Sequence, residues 1–143
     1  MTDSLCFIDS NIWLYRLLVD PVTAQQAEMR KRSLAIDLIN TSHCVVSTQV
    51  VNEVCSVLTR KAKSSEPQIK QIIESFYDRC AVIELNADTL FNASDLRDRY
   101  GFSFWDGLIV ASALSANAEI LYSEDMQDGL IVEQRLILTN PFK

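Results

Sequence analysis

Four short runs of consecutive apolar residues, separated by helix-length segments, leave this chain few folds to choose from. They lie at 5–8, 43–47, 81–85 and 120–123, with a weaker fifth at 136–138. Their apolar residues are adjacent rather than alternate, the pattern of strands covered on both faces. Strands of this kind alternating with helices form a parallel sheet with helices on either side. Only three glycines and three prolines argue against a turn-rich all-β fold and against long linkers. The expectation is an α/β chain: a single three-layer α/β/α domain over 1–143, its central parallel sheet holding about four to five strands.

The intervening segments read as helices. Residues 12–18 are apolar enough for a short one, broken by Asp20-Pro21. A longer amphipathic helix spans 23–39. Ser47-Thr48 caps a third, in which Val50, Val51, Val54, Cys55, Val57 and Leu58 share one face and Glu53 falls at its edge, beside Gln49. Glu66-Pro67 opens a fourth. Asn86 caps a fifth, over 87–99, ended by Gly101. The sixth, from Gly107 to Leu114, is apolar nearly all round and should be buried.

Composition narrows the function. No apolar run approaches the ~20 residues that span a bilayer. Met1-Thr2-Asp3-Ser4 lacks the marks of a signal peptide, so no membrane association and a cytoplasmic location are expected. Cys6, Cys44, Cys55 and Cys80 are scattered among apolar neighbours, as buried thiols are, with no Cys-x-x-Cys pair. The single histidine, His43, has no ligand-type neighbour. The net charge of −6 opposes a nucleic-acid partner at first sight. If four of the acids form one metal site, however, the remainder is −2. Arg30-Lys31-Arg32 and Arg60-Lys61-Ala62-Lys63 then read either as a basic rim or as ordinary solvated helix faces.

Those four acids are Asp9, Glu53, Asp106 and Asp125. Asp9 ends the first apolar run, Glu53 lies near the start of the helix after the second, and Asp125 follows the fourth. In a parallel sheet these positions share one edge, where open α/β sheets bind ligands. Asp106 precedes its strand and reaches that edge only if its helix begins there. Each also has a structural reading: Asp9 and Asp125 as caps, Glu53 as a solvated glutamate, Asp106 as an acid in a first helical turn behind Ser103. Against these stands Asp106 itself, which opens an apolar helix beside Trp105, where an uncompensated charge costs several kcal/mol. A divalent cation would compensate all four. Oxygen donors alone favour Mg²⁺ or Mn²⁺, and such a site suits phosphodiester hydrolysis by water. An aspartyl-phosphate at Asp9 competes, but position 11 is Asn where haloacid-dehalogenase-type phosphatases carry a second Asp.

The stretch Phe7-Ile8-Asp9-Ser10-Asn11-Ile12-Trp13-Leu14-Tyr15 resembles the opening of PIN-domain ribonucleases of the VapC toxin type. Ser47 to Glu53, Ser103 to Ile109 and Leu121 to Gln127 are similar to their later motifs, in the same order over nearly the whole chain. The resemblance implies a Mg²⁺- or Mn²⁺-dependent endoribonuclease with Asp9, Glu53, Asp106 and Asp125 as its acidic tetrad, supported by Asn11 and Ser123. It also implies an RNA substrate, a cognate antitoxin whose basic tail blocks the site, and a homodimer. Glu124 competes with Asp125 for the fourth position. Gly107 stands where alanine is usual, a change expected to loosen the helix start. A PIN-like module that binds RNA or protein without cutting, and a metal-dependent DNA nuclease or phosphatase, are the competing readings.

Overall fold

Nine of the first eighteen residues form a helix that starts one residue after Asp9, and the strand before it is the centre of the molecule. In the computed structural model, which describes residues 4–143, β1 (Leu5–Ile8) is followed by α1 (Ser10–Leu18), α2 (Gln26–Thr41), β2 (His43–Ser47), α3 (Thr48–Lys61), α4 (Glu66–Arg79) and β3 (Ala81–Ile83). The chain continues through α5 (Ala87–Tyr100), α6 (Phe104–Ser115), β4 (Ile120–Tyr122), β5 (Ile131–Val132) and β6 (Leu136–Thr139). Met1 to Asp3, on which the reading of a missing signal peptide partly rests, lie outside the described residues. Among the described residues no helix is long and apolar enough to cross a membrane.

The sheet runs β3-β2-β1-β4-β6-β5, with every pairing parallel except β5 with β6. The three-layer α/β architecture is the expected one, but the sheet has six strands rather than four or five, and one edge is antiparallel. The extra strand comes from a hairpin whose two turn residues, Glu133 and Gln134, both have positive φ (51° and 61°). Such turns are usually marked by Asn-Gly, and Glu-Gln carries no such mark. The third strand stops at Ile83, two residues short of the apolar run.

Strands β1 and β2 supply the middle of the core, where Phe7, Ile8, Val45 and Val46 are essentially inaccessible to solvent. Helix α1 packs between α2 and α3, α4 packs on α3, and α5 lies against α6. Helix α6 is buried from Gly107 to Leu114, as its all-round apolar character requires. The four cysteines are free and buried. Three of them form a row across the sheet: Cys6 is in register with Cys44, and the Cys44 and Cys80 sulfurs lie 3.1 Å apart.

Candidate active site

The chain leaves β1 for β2 on one side and places β4 on the other, so a crevice opens between the carboxyl ends of β1 and β4. This is where such sheets bind ligands. The two strand ends are locked together, since the Asp9 N–H donates to the Tyr122 carbonyl at 3.0 Å. Asp9 and Ser123, the residues just past each strand, therefore sit side by side.

Asp9 is both a cap and more than a cap. Its Oδ1 accepts from the Ser10 N–H at 2.7 Å, at the start of α1. Its Oδ2 accepts from the Ser123 hydroxyl at 2.9 Å. The residue is only 6% exposed, and among the described residues no lysine or arginine bridges to it. Burial pushes its carboxyl up to about 6; the Ser123 and Ser10 hydrogen bonds oppose this, and the neighbouring charges of Glu53 and Asp106 add to it.

Glu53 reaches the same place from α3. Its Oε2 accepts from the Ser10 hydroxyl at 2.9 Å and its Oε1 from the Gln49 amide, one turn earlier, at 2.8 Å. Asp106 lies in the first turn of α6, with its N–H donating to the Ser103 cap at 3.2 Å. Its carboxyl is also held above the usual range, first by desolvation and then by the charges of Asp125 and Glu53, against the Ser103 hydrogen bond. Helix α6 thus begins at the strand-end edge, as its acid required. Asp9 feels Glu53 and Asp106, and Asp106 feels Glu53 and Asp125, so the four acids form one connected group.

The location of the costly charge differs from expectation. Trp105 is 62% exposed and Asp106 only half-buried. The acid withdrawn from water is Asp9, because it ends the central strand while α6 projects its first turn to the surface.

Asn11 and Ser123 join the fourth acid to the first. Asn11 Nδ2 donates to Asp125 Oδ2 at 3.0 Å and to the Ser123 hydroxyl at 3.3 Å, and the Asp125 N–H donates to that hydroxyl at 3.2 Å. Strand β4 has already ended at Tyr122, so Asp125 lies in the loop beyond it. Glu124 turns elsewhere. It accepts from Tyr15 at 2.7 Å and pairs with Lys31; partial burial raises its carboxyl, but those two partners outweigh it and hold it low. That ion pair removes Lys31 from any basic rim, and Arg30 is bound to the Phe142 carbonyl. The supporting residues Ser10, Gln49, Tyr15 and Lys31 were not read as such in the sequence. Only Ser10 and Gln49 carried a signal, as neighbours of Asp9 and Glu53.

Among the described residues, no three of these side chains close into a finished coordination shell. Each carboxylate leans instead on a neutral donor, as mutually repelling charges do without a cation between them. The donor set itself fits a hard divalent ion: carboxylates without histidine or thiolate, one of them buried and unpaired.

A family model for the PIN domain matches residues 6–127, which contain all four acids. The fold is similar to that of VapC20 from Mycobacterium tuberculosis, described as a Sarcin-Ricin loop cleaving toxin (TM-score 0.61, 17% identity, covering 81% of this chain and 86% of that one). It is similar to a toxin–antitoxin complex from Klebsiella pneumoniae (0.64, 16%, 95% and 97%). It is also similar to VapBC2 from Rickettsia felis bound to a DNA fragment from its promoter (0.60, 19%, 95% and 98%). No curated protein sequence matches the chain. The match over most of its length, with an α/β/α fold and acids gathered at one sheet edge, places the chain in the PIN domain family.

Proposed function

We propose that the whole chain, 1–143, is one PIN-like domain acting as a Mg²⁺- or Mn²⁺-dependent endoribonuclease, the toxin of a toxin–antitoxin pair. The observation that carries this reading is Asp9: a buried carboxylate with no cationic partner among the described residues, faced by Glu53 and Asp106. A protein gains nothing from such a cluster unless something positive enters it.

In this reading Asp9, Glu53, Asp106 and Asp125 hold the cation. Once bound, a divalent ion supplies charge for the scissile phosphate and eases deprotonation of water. Ser123 and the Ser10 N–H fix both oxygens of Asp9. Asn11 aims Asp125, and Gln49 with Ser10 aims Glu53. Asp106, half-exposed in the first turn of α6, is accessible to an incoming phosphate from the solvent side. Among the described residues no lysine, histidine or cysteine bonds to the four acids, and the Ser10 and Ser123 hydroxyls are spent as donors to Glu53 and Asp9, so in this reading water is the nucleophile.

The antitoxin reading has a physical basis in the same acids. An arginine from a basic tail would take the cation's place and pair with several carboxylates. A groove of about 290 Å³ leads away from Asn11 past Leu14, Tyr15 and Val57, and offers an apolar path for the segment before that arginine.

The test is cleavage of cellular RNA and of single-stranded DNA by purified protein in Mg²⁺ or Mn²⁺, beside Asp9→Asn and Asp106→Asn. RNA cut by the wild type alone supports the proposal. DNA cut in preference to RNA would make the chain a DNA nuclease, and equal inertness of all three proteins would leave a binding module.

A further inference from the structure

Trp105 stands directly before one of the four acids and is the most conspicuous side chain the chemistry above leaves unused. An indole in an ordinary helix would turn inward, yet this one is 62% exposed, and Phe104 beside it is 57% exposed. Their rings meet edge to face at 5.2 Å, and the Arg97 guanidinium lies 4.2 Å over the Phe104 ring. Trp105 forms one wall of a cleft of about 510 Å³ whose other walls are Gln49, Asn52, Glu53 and Leu85. Glu53 is common to this cleft and to the acid cluster.

Gln49 is an independent pointer to a ligand. The residue is nine-tenths buried, its amide nitrogen is committed to Glu53, and among the described residues its carboxamide oxygen has no partner. An unpaired buried acceptor is costly enough that folded proteins rarely keep one without a use for it. The missing partner must be a donor, and because Gln49 lines the cleft beside Trp105, a donor entering there meets this oxygen once a small turn of the Gln49 side chain uncovers it.

We propose that the Trp105–Gln49 cleft is a nucleobase subsite: it takes one unstacked base of single-stranded RNA next to the scissile phosphate. The base stacks on Trp105, and an N–H on its edge donates to the Gln49 oxygen. An RNA base is the chemistry that offers a π-face and edge donors together, and unstacked bases are what proteins read in RNA. Phe104 and Arg97 support the platform from the side. The proposal rests on the ribonuclease reading for its substrate, but it is tested by binding and not by turnover.

The experiment uses Asp9→Asn protein, expected to lose cleavage, with a labelled random-sequence RNA hexamer in Mg²⁺. Affinity is read by anisotropy, intrinsic tryptophan emission on unlabelled RNA, and mass by sedimentation. Because Trp13 is buried against Phe76, a change in emission reports Trp105. The expected results are quenching on RNA addition, a loss of affinity of about 5- to 150-fold on adding Trp105→Ala, in the range that one stacked base contributes, and recovery of most of it with Trp105→Phe. Gln49→Ala should alter which bases are preferred. Unchanged affinity in Trp105→Ala overturns the subsite. So does a loss of affinity accompanied by a fall from dimer to monomer, which would assign the aromatic pair to a protein interface. If wild-type protein cuts no RNA while Trp105 still quenches, the nuclease reading fails and the subsite stands; the reverse result separates them the other way.

Discussion

Asp9 illustrates how one carboxylate couples folding to function. Its unfolded value is about 3.9, and burial raises the folded value to about 6. A raised carboxyl favours the folded state at low pH, where it is protonated. That advantage is lost as pH rises through about 6. The cation-free protein should therefore lose up to about 3 kcal/mol of stability between pH 4 and pH 7 from this residue, a loss missing in Asp9→Asn. Chemical denaturation of both proteins across that range isolates the difference. Adding Mg²⁺ or Mn²⁺ at pH 7 should raise the melting temperature of the wild type and, by less, that of Asp9→Asn, which keeps three of the four carboxylates. Asn11 offers a second test. Its amide ties Asp125 to Ser123, so Asn11→Ala should reduce metal affinity or cleavage by about 10–100-fold, while Glu124→Gln, whose carboxylate serves Lys31, should reduce neither as far.

At the scale of elements, the departure at position 107 has a packing cause. A Cβ there would lie 2.6 Å from Arg97 Cγ and 3.3 Å from the Ala93 carbonyl oxygen. Glycine thus lets α5 lie close on α6 and lets Arg97 cross to the Phe104 ring and carbonyl. Gly107→Ala should destabilise by about 1 kcal/mol, because overpacking of ~1–3 outweighs ~1 gained in helix propensity. In an Arg97→Ala background the same change should shrink or reverse in sign, a cycle that urea unfolding measures. At the β5–β6 turn, Gln134→Gly relieves a left-handed residue at φ 61° and should stabilise by up to about 1 kcal/mol. These two places also show what could be read in advance. The strands β1, β2 and β4, the caps Asn86 and Ser103 and the burial of α6 were legible because apolar runs and capping residues act locally. The β5–β6 hairpin was not, because its turn is held by Arg99 and Tyr100 through Glu133, far away in sequence. The meeting of Asp9 with Glu53 and Asp106 was legible from topology. Which acid is buried depends on how far α6 projects, and no residue type records that.

For the molecule as a whole, charge sets the terms of RNA binding. The four acids carry most of the net −6, and two of the three residues of the Arg30-Lys31-Arg32 cluster are bound internally, to Phe142 and Glu124. RNA should therefore bind weakly in chelator and far more tightly with Mg²⁺, and titrations at several salt concentrations check both halves of that statement. Expression in a bacterium should arrest growth, and co-expression with a cognate basic-tailed partner should relieve the arrest and yield a complex that no longer cuts RNA. Growth unaffected by the wild-type chain would count against the toxin role.

The stitch between Asn11 and Asp125 also has a bearing on when the protein becomes dangerous. The residues it joins lie 114 positions apart, and Asp9 completes its bonding only when Ser123 arrives with β4. Contacts across so long a loop form late, and chains are made from the amino terminus onward. A nascent or truncated chain that stops before β4 holds three of the acids but not the seam that unites them. On the proposed reading, cleavage would be deferred to the finished molecule, which would give a newly made partner time to be present when it appears.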